Sequence, residues 1–378
     1  MNKRGMVGFV CTILFVGATS ELALGLGEEQ GKLRTWTDST GKYRVEAEFV
    51  DLKDGKVRLK KRGGATITIP IERLSEGDQV FVKRQAARSG SERLRKLIND
   101  LEGKNAGRAA REIGKLGRRG KTAVLPLGRY LKKAPIGHQG EVAISLGKIG
   151  DRSAIPFLEA ALPELATRGV AGVHVALMML EHEPETQVAA ITAILQDNNV
   201  RESNDRGFVL GYIRELGPKG RVFLPTVHDM MSLDPHEVRA TLARLGDEPE
   251  KHVAWLIREL DGGKAAHAAY ALGQIGPKAA PAIPKIIELM RRDASTTGNV
   301  QFTVTLPYIG AAAAKPLAEL LQDKNPNIRF HAAIALNALG PDAKGALPLI
   351  VSARKREREE GVRRMLDSSI QTIESADE

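Results

Sequence analysis

The chain of 378 residues contains a single cysteine, Cys11, and few aromatic residues, which make up 4% of the sequence. One cysteine excludes an intramolecular disulfide and any metal site built on several cysteines. Because large antiparallel sheets are enriched in aromatic and β-branched side chains, the low aromatic content argues against a large all-β architecture. The hydrophobic share of 42% and the charged share of 27% indicate a chain that folds around a buried core, and the length predicts two or three domains.

The sequence also lacks the common catalytic patterns, including the Gly-x-Ser-x-Gly turn of serine hydrolases. Gly117–Thr122 ends like a phosphate-binding loop, but the first glycine of that motif falls on Lys115. The densest group of potential metal ligands, His228–Glu237, lacks the spacing of ligands on one helix face. It predicts a polar loop with a helix N-cap at Asp234. We therefore expect no catalytic residue, no metal site and no cofactor.

The N-terminus has the pattern of a secretory signal. Two cations precede an uncharged, mostly apolar run from Met6 to Ala18, and small residues follow up to Ser20 and Gly25. A spanning helix needs about 20 apolar residues, so this run is too short for a stable membrane span. The pattern predicts a signal peptide over residues 1–25, cleaved after Ser20 or Gly25, and export to the periplasm or the cell exterior.

A small β module is predicted after this segment. Apolar and charged residues alternate over Tyr43–Phe49, with Tyr43 on the apolar side, which is the period of a half-buried strand. Asp54-Gly55 and Gly63-Gly64 are turn pairs, because glycine tolerates positive φ. Thr66–Ile69 is a further strand, and Ser75 followed three residues later by an aspartate predicts a helix N-cap.

Several short stretches of the module resemble a known family and occur in the family's order along the chain. These are Arg34-Thr35-Trp36-Thr37-Asp38, Gly41, Val45-Glu46-Ala47-Glu48-Phe49-Val50, Asp54-Gly55-Lys56-Val57, Leu74-Ser75-Glu76 and Asp78-Gln79. In them, residues 33–84 resemble the SLA homology domain of type one, which is named for a fungal endocytic adaptor and is similar to SH3-like barrels. The resemblance implies a peptide-binding module, and the adaptor's copy recognises Asn-Pro-Phe-x-Asp segments.

Four cations in the module are candidates for meeting an acidic peptide: Lys60, Lys61, Arg62 and Arg73. The alternative is that they form a solvated face, since exposed charges are the norm on protein surfaces.

The rest of the chain is an array of repeats about 30 residues long. An apolar segment ending in Leu-Gly or Ile-Gly recurs, with the glycines at Gly117, Gly150, Gly217, Gly246, Gly276, Gly310 and Gly340. Glycine just past a helix accepts the left-handed conformation, and the prolines that open the second helices fit a first turn. The interval between Gly150 and Gly217 is about two repeat lengths, which predicts a turn without this glycine near Glu181–Pro184. The pattern predicts a mostly α chain, a right-handed α-solenoid of about eight helix pairs over residues 105–378, with Val362–Ile373 as its C-terminal cap.

Two of the repeats carry a more specific resemblance. Val238-Arg239 before Ala240, and Ile328-Arg329 before Ala332-Ala333, resemble the HEAT-like repeats of phycobilisome lyases. The resemblance implies a binding scaffold, and a minority of that family attaches bilins. Four aromatic residues at apolar helix positions are expected in the core: Trp255, Tyr270, Tyr308 and Phe330.

The basic excess lies between residues 85 and 135, which contain 14 Lys or Arg against 4 Asp or Glu. Residues 85–104 are predicted to be a basic linker with a hinge at Arg88–Ser91 and a connecting helix. Arg118, Arg119 and Lys121 form a basic patch in a predicted inter-helix loop. Three interpretations remain open: binding of an acidic partner or polyanion, binding of nucleic acid, which export disfavours, and a solvated surface.

Together these features predict an exported, non-catalytic scaffold that binds a peptide through the β module and a protein partner on the solenoid. Two further functions remain possible: an enzyme or cofactor-attachment protein of the bilin-lyase type, and polyanion binding through residues 85–135. The sequence leaves the oligomeric state and the identity of the partner open.

Overall fold

A computed structural model describes residues 33–53, 55–292 and 300–375. The predicted signal peptide lies outside these residues. The chain divides into two compact units, Met1–Ala86 and Ala87–Glu378. Within the described residues no helix is both long enough and apolar enough to cross a membrane.

The first unit is built on a four-stranded antiparallel meander in the order β1-β2-β3-β4. The strands are β1 Arg34–Thr37, β2 Arg44–Lys53, β3 Lys56–Lys61 and β4 Thr66–Pro70. A 3-10 turn at Ile71–Arg73 follows β4. Beyond it, the N–H of Ser75 donates to the carbonyl of Thr37 over 2.9 Å, and Asp38 forms a bridge with Leu74. The end of β1 is thereby joined to the segment after β4, and the predicted small β module is confirmed.

The core of this unit is small and centres on one tryptophan. Its fully buried members are Trp36, Ala47, Val57, Leu59, Leu74 and Val82. The indole Nε1 of Trp36 donates to the carbonyl of Ala47 over 2.9 Å, which satisfies the only polar atom of that side chain. The guanidinium of Arg34 lies 4.7 Å from the Trp36 ring and 3.8 Å from the Phe81 ring, and it forms an ion pair with the buried Asp78.

The predicted inward position of Tyr43 is wrong. Tyr43 precedes β2 and its side chain is 75% exposed. Its N–H donates to Oδ1 of Asp38 over 3.0 Å, so Tyr43 is held in the β1–β2 turn rather than in the strand. An alternating pattern does not show where a strand begins when a polar side chain caps the preceding turn.

One helix, α1 Glu76–Asp100, begins at the predicted N-cap and continues through the predicted hinge and connecting helix. Ser75 and Asp78 form the predicted cap, since the N–H of Asp78 donates to Oγ of Ser75 over 3.3 Å. The division between the two units falls within this helix.

The expected hinge at Arg88–Ser91 is helical throughout. Oγ of Ser91 donates to the carbonyl of Ala87, and Arg88 lies 3.7 Å from Glu92 one turn later. The helix therefore continues through Gly90, although glycine costs about 1 kcal/mol relative to alanine in a helix interior.

The second unit contains eight helix pairs among its described residues. They are α2 Ala106–Lys115 with α3 Val124–Lys133, α4 Ile136–Ile149 with α5 Ile155–Ala161, α6 Thr167–Met179 with α7 Pro184–Gln196, α9 Asp205–Arg214 with α10 Leu224–His228, α11 Pro235–Leu245 with α12 Pro249–Glu259, α13 Ala265–Ile275 with α14 Ile283–Arg292, α15 Val300–Ile309 with α16 Ala314–Leu320, and α17 Pro326–Leu339 with α18 Leu347–Arg356. A short helix, α8 Asn198–Glu202, precedes α9, and α19 Glu360–Ser375 follows the last pair.

The first helices of successive pairs pack side by side. The series of neighbours runs α2, α4, α6, α9, α11, α13, α15, α17 and α19. The buried residues form three clusters that follow one another along the array, because each pair shares its apolar side with the next. Val362, Leu366 and Ile373 of α19 are buried against the last pair, so the predicted stack of about eight pairs is confirmed.

The turn between the helices of most pairs depends on glycine. All seven predicted turn glycines have positive φ, from 53° at Gly217 to 94° at Gly310. Gly150 and Gly246 adopt the predicted left-handed helical conformation, with ψ near 20°. Gly276, Gly310 and Gly340 have ψ between −124° and −159°, a region that is essentially restricted to glycine. At the predicted turn that lacks this glycine, Glu181 and Glu183 take positive φ.

Helices α4 and α6 approach most closely where each has a glycine. A Cβ atom added to Gly172 of α6 would lie 2.4 Å from Cα of Gly140 in α4. A Cβ added to Gly147 of α4 would lie 2.9 Å from Cα of Ala176. Backbone lies on both sides of these contacts, so neither helix can yield by rotating a side chain.

We expect Gly172→Ala to destabilise the array by about 1–3 kcal/mol, because the new methyl group forces α4 and α6 apart. The matched control is Gly137→Ala on the exposed side of α4, where nothing lies within 4 Å of an added Cβ. That variant should be neutral or stabilising by up to about 1 kcal/mol, because alanine is the better helix former. Urea denaturation followed by circular dichroism measures both, and equal midpoints for the two variants would contradict the proposed close contact.

Candidate functional site

The structure brings three of the four predicted peptide-binding cations together. Lys60, Lys61 and Arg62 lie at the end of β3 and in the turn to β4, and all three are exposed. No described residue forms an ion pair or a side-chain hydrogen bond with them. Arg73 is also exposed, but it lies in the 3-10 turn beyond the other end of β4, where its carbonyl accepts the N–H of Ser39 over 2.8 Å.

Two other arginines of the module, Arg34 and Arg58, are each neutralised by an aspartate within it. Arg58 donates to both carboxylate oxygens of Asp51, over 2.9 and 3.0 Å, and both side chains are largely buried. Arg34 is held by Asp78. Among the described residues, the cations of β3 without an ion pair are Lys56 at its start and Lys60 and Lys61 at its end, and Arg62 follows in the turn.

The predicted basic patch lies in the 3-10 segment Gly117–Ala123, and one of its three cations forms an ion pair within the fold. Arg118, Arg119 and Lys121 are exposed, but Nζ of Lys121 lies 3.0 Å from Oδ2 of Asp151. Hydrogen bonds from the hydroxyl and the N–H of Ser153, together with Lys121, lower the pKa of Asp151 to about 2. Asp151 is thus ionised at any physiological pH and offsets one charge of the patch.

An open groove of about 500 Å³ runs along the N-terminal ends of α9, α11, α13 and α15 in the second unit. It is lined by Asn204, Arg206, Gly207, Phe208, Asp234, His236, Glu237, Ala266, His267, Tyr270 and Gln301. These residues come from successive repeats and lie far apart in sequence. We did not predict this groove from the sequence.

The carboxylates of the groove already have partners within the fold. Asp234 accepts the N–H of Glu237 over 3.1 Å, which confirms the predicted helix cap. Glu237 forms a buried ion pair with Arg214 over 2.7 Å, and Arg214 also donates to Thr241. Across residues 33–53, 55–292 and 300–375, no cluster of three or more His, Cys, Asp or Glu is arranged to hold a metal ion.

Two of the four aromatic residues expected in the core are exposed instead. Trp255 and Phe330 pack against the core as predicted. Tyr270 is 51% exposed and Tyr308 is 65% exposed. Tyr308 crosses over Gly273 of α13, with 3.5 Å between its Cβ and the position of a glycine Cβ.

An exposed apolar stripe continues along α15. Val300, Val304 and Tyr308 follow one another at helical spacing, and all are about half exposed or more. The helix contains no charged residue over its ten positions. This exposed face is unusually apolar for a helix surface in contact with solvent, and the run of uncharged residues is the signal of it in the sequence.

Two buried histidines lie between α11 and α12, next to the groove. Burial lowers the pKa of His236, although Asp234 and Glu259 act in the opposite direction. Burial, and then the cation of Arg239, lower the pKa of His252. The Arg239 guanidinium lies 3.3 Å from Nδ1 of His252 and 4.3 Å from the Trp255 ring. Both histidines are therefore held neutral in the folded chain.

We expect the free energy of unfolding to fall as the pH falls below about 6.5. Below that pH the unfolded chain binds protons at positions 236 and 252 that the folded chain resists binding, whereas above it both states are neutral there. His252→Gln should reduce this pH dependence, because the variant has no proton to bind at that position. Denaturation midpoints at neutral and mildly acidic pH measure the effect, and His267→Gln, which removes an exposed imidazole, is the matched control. If His252→Gln and the wild type lost equal stability on acidification, His252 would not contribute.

Three models of known protein families match parts of this chain. Residues 28–90 match SLA1 homology domain 1. Residues 283–370 match HEAT repeats, and residues 139–162 match the PBS lyase HEAT-like repeat.

Two curated relatives each match a short stretch of this chain. "Actin cytoskeleton-regulatory complex protein sla1" of Sclerotinia sclerotiorum is 38% identical over 82 residues, which are 22% of this chain and 7% of the relative. The corresponding protein of Mycosarcoma maydis is 48% identical over 50 residues, 13% of this chain and 4% of the relative. The chain thus corresponds to a small part of each relative.

These relatives overturn the prediction of export to the periplasm or the cell exterior. They are named for a complex that regulates the actin cytoskeleton, which is an intracellular structure. The argument against nucleic acid rested on export and is withdrawn with it.

Among solved structures, human deoxyhypusine hydroxylase in complex with glycerol is similar at 18% identity and a TM-score of 0.28. That similarity covers 72% of this chain and 99% of the other, and at this TM-score it supports no argument. The family matches do identify the parts of the molecule: the chain carries an SLA1 homology domain 1 followed by HEAT repeats.

Proposed function

We propose that this chain is a non-catalytic protein-interaction scaffold whose β module binds an acidic peptide segment through Lys60, Lys61 and Arg62. One observation carries the proposal. Three adjacent cations are exposed and have no partner among the described residues, in a module that matches SLA1 homology domain 1.

The contrast with the rest of the module supports this role. Arg34 and Arg58 are each neutralised by an aspartate, so the module pairs its cations where it uses them for folding. Three neighbouring like charges repel one another, and a carboxylate ligand relieves that repulsion while forming charge-assisted hydrogen bonds. Arg73 takes no part in this site, because it lies beyond the far end of β4.

The repeat array supplies a second surface for a protein partner. Its groove and the adjoining stripe present Phe208, Tyr270, Val304 and Tyr308 to solvent. Tyrosine is enriched at protein interfaces because its ring gives a large contact area and its hydroxyl remains hydrated. The relatives are named as members of a complex, which favours protein partners.

Bilin attachment and polyanion binding have less support than peptide binding. The match to the PBS lyase repeat covers 24 residues of one helix pair, and no residue of the groove favours a bilin. Polyanion binding through residues 85–135 is retained as an outcome of the experiment below, since Arg118 and Arg119 are exposed.

Reversing the three module charges, Lys60→Glu with Lys61→Glu and Arg62→Glu, should weaken binding of a labelled glutamate-rich peptide about tenfold or more. The loss follows from removing three favourable charge contacts and adding repulsion. Fluorescence anisotropy at low and high salt measures the affinity, and the difference should shrink as salt screens the charges.

The matched control reverses the same amount of charge in the basic patch, through Arg118→Glu, Arg119→Glu and Lys121→Glu. It should leave the affinity for the peptide unchanged. If this control lost binding and the module variant kept it, the ligand would be bound by the basic segment, and the proposal for the module would be wrong.

A further inference from the structure

The hydrogen bonds at the two ends of the β3–β4 ladder fix which way each backbone group of β4 points. The N–H of Lys61 donates to the carbonyl of Ala65 over 2.9 Å, and the N–H of Ile71 donates to the carbonyl of Gly55 over 2.8 Å. In an antiparallel pair, hydrogen-bonded and non-hydrogen-bonded positions alternate. Ile67 and Ile69 therefore bond to β3, while Thr66 and Thr68 direct their N–H and C=O groups away from it.

This outer edge of β4 is open among the described residues. β4 is the last strand of the sheet, whereas the edge at β1 is joined to the segment that contains Leu74 and Ser75. No backbone or side chain of the described residues bonds to the outward groups of Thr66 and Thr68, and both residues are exposed.

The edge also lacks most of the features that prevent strands from adding to a sheet. β4 reads Thr-Ile-Thr-Ile-Pro, with no charged residue, and its ladder with β3 has no bulge. Threonine and isoleucine favour extended backbone, and only Pro70 at the end interrupts the row of donors. Such an edge can pair with an extended peptide by main-chain hydrogen bonds.

The charges beside this edge specify the chemistry of the added strand. Val57 and Leu59 point into the core, so Lys56 and Lys60 lie on the outward face, opposite Pro70 and Thr66 of β4. A strand added to β4 would lie about 4.8 Å beyond it. The long stems of the lysines can extend over the short β4 side chains to reach carboxylates on that strand.

The remaining neighbours complete the pattern. Arg58, the third outward cation of β3, forms a bidentate ion pair with Asp51. Glu48 lies opposite Lys60 on the β2 side, away from the open edge, and no ion pair joins them. The half-buried Ile67 and Ile69 mark the inner face. An added strand therefore meets cations on its outward face and apolar side chains on its inner face.

We propose that an extended acidic peptide, with carboxylates alternating with apolar residues, binds by adding as a fifth strand along the outer edge of β4. This inference rests on the proposed peptide-binding function and specifies its site and geometry. The carboxylates face Lys56 and Lys60, the alternate apolar side chains face Ile67 and Ile69, and the peptide backbone pairs with Thr66 and Thr68. Lys61 and Arg62 contact the end of the peptide near the β3–β4 turn.

The test uses the full chain and a synthetic peptide of alternating glutamate and valine, methylated at one backbone nitrogen at a time. Strand addition requires that methylation at every second position reduce the affinity at least tenfold, while methylation at the positions between has little effect. Site-resolved hydrogen exchange should show the amides of Thr66 and Thr68 protected by the peptide.

A protein variant gives an independent readout. Thr68→Pro removes an outward N–H without removing a bond to β3, and should weaken binding at least tenfold. Thr68→Val keeps the N–H and should bind like the wild type. Because the methylated peptides probe the unaltered protein, the test holds even if the proline variant misfolds.

The outcomes separate this inference from the function on which it rests. Binding without an alternating effect of methylation, and without protection of Thr66 and Thr68, would overturn strand addition while leaving acidic-peptide binding intact. Failure to bind any acidic peptide would overturn both. Equal affinity for a peptide with glutamine in place of glutamate would contradict the proposal that the bound peptide is acidic.

Discussion

Each helix pair of the array has an apolar side that only the next pair can cover. Leu272 and Ile275 of α13, and Leu306 and Ile309 of α15, are almost completely buried, although each helix is too short to be stable alone. Their burial requires neighbouring first helices to approach closely, which the alanines and the glycine of α13 allow. At Gly172 and Gly140 the two backbones themselves are in contact. The order of the helices and the exposed faces follow from this packing.

The same packing decides what the array presents to a partner. Since first helices lie side by side, residues about 30 positions apart in sequence line one groove, as Arg206, His236, Ala266 and Gln301 do. Their positions follow from the stacking of four helices rather than from any local motif. Charged groups in this region are mostly paired with one another, as in the ion pair of Arg214 with Glu237, so aromatic and apolar side chains dominate its free surface.

The β module differs from the array because its small core buries few side chains, and ion pairs and hydrogen bonds also organise it. Trp36, fixed by its bond to Ala47, organises the interior, and two aspartates neutralise Arg34 and Arg58. The unpaired groups that the proposed peptide would meet are the cations of β3, the neighbouring Arg62 and the outward backbone of β4. A domain of this size is stable with few buried side chains only if its remaining polar groups stay hydrated or meet a ligand.

The repeat length, the number of helix pairs and the positions of the turns could be predicted from the sequence, because glycine is chemically distinct at positive φ and recurs at Gly117, Gly150 and the later turns. The β module and the cap at Ser75 were predictable for a similar reason, since turn and cap residues act locally. Which apolar residues are buried depends instead on contacts between distant segments. Tyr270 and Tyr308 have the same helical spacing as core residues, and their exposure follows from what the neighbouring helix leaves uncovered. Lys60, Lys61 and Arg62 are adjacent in the sequence, but the distance of Arg73 from them depends on the pairing of β3 with β4, which places Arg73 beyond the other end of the hairpin.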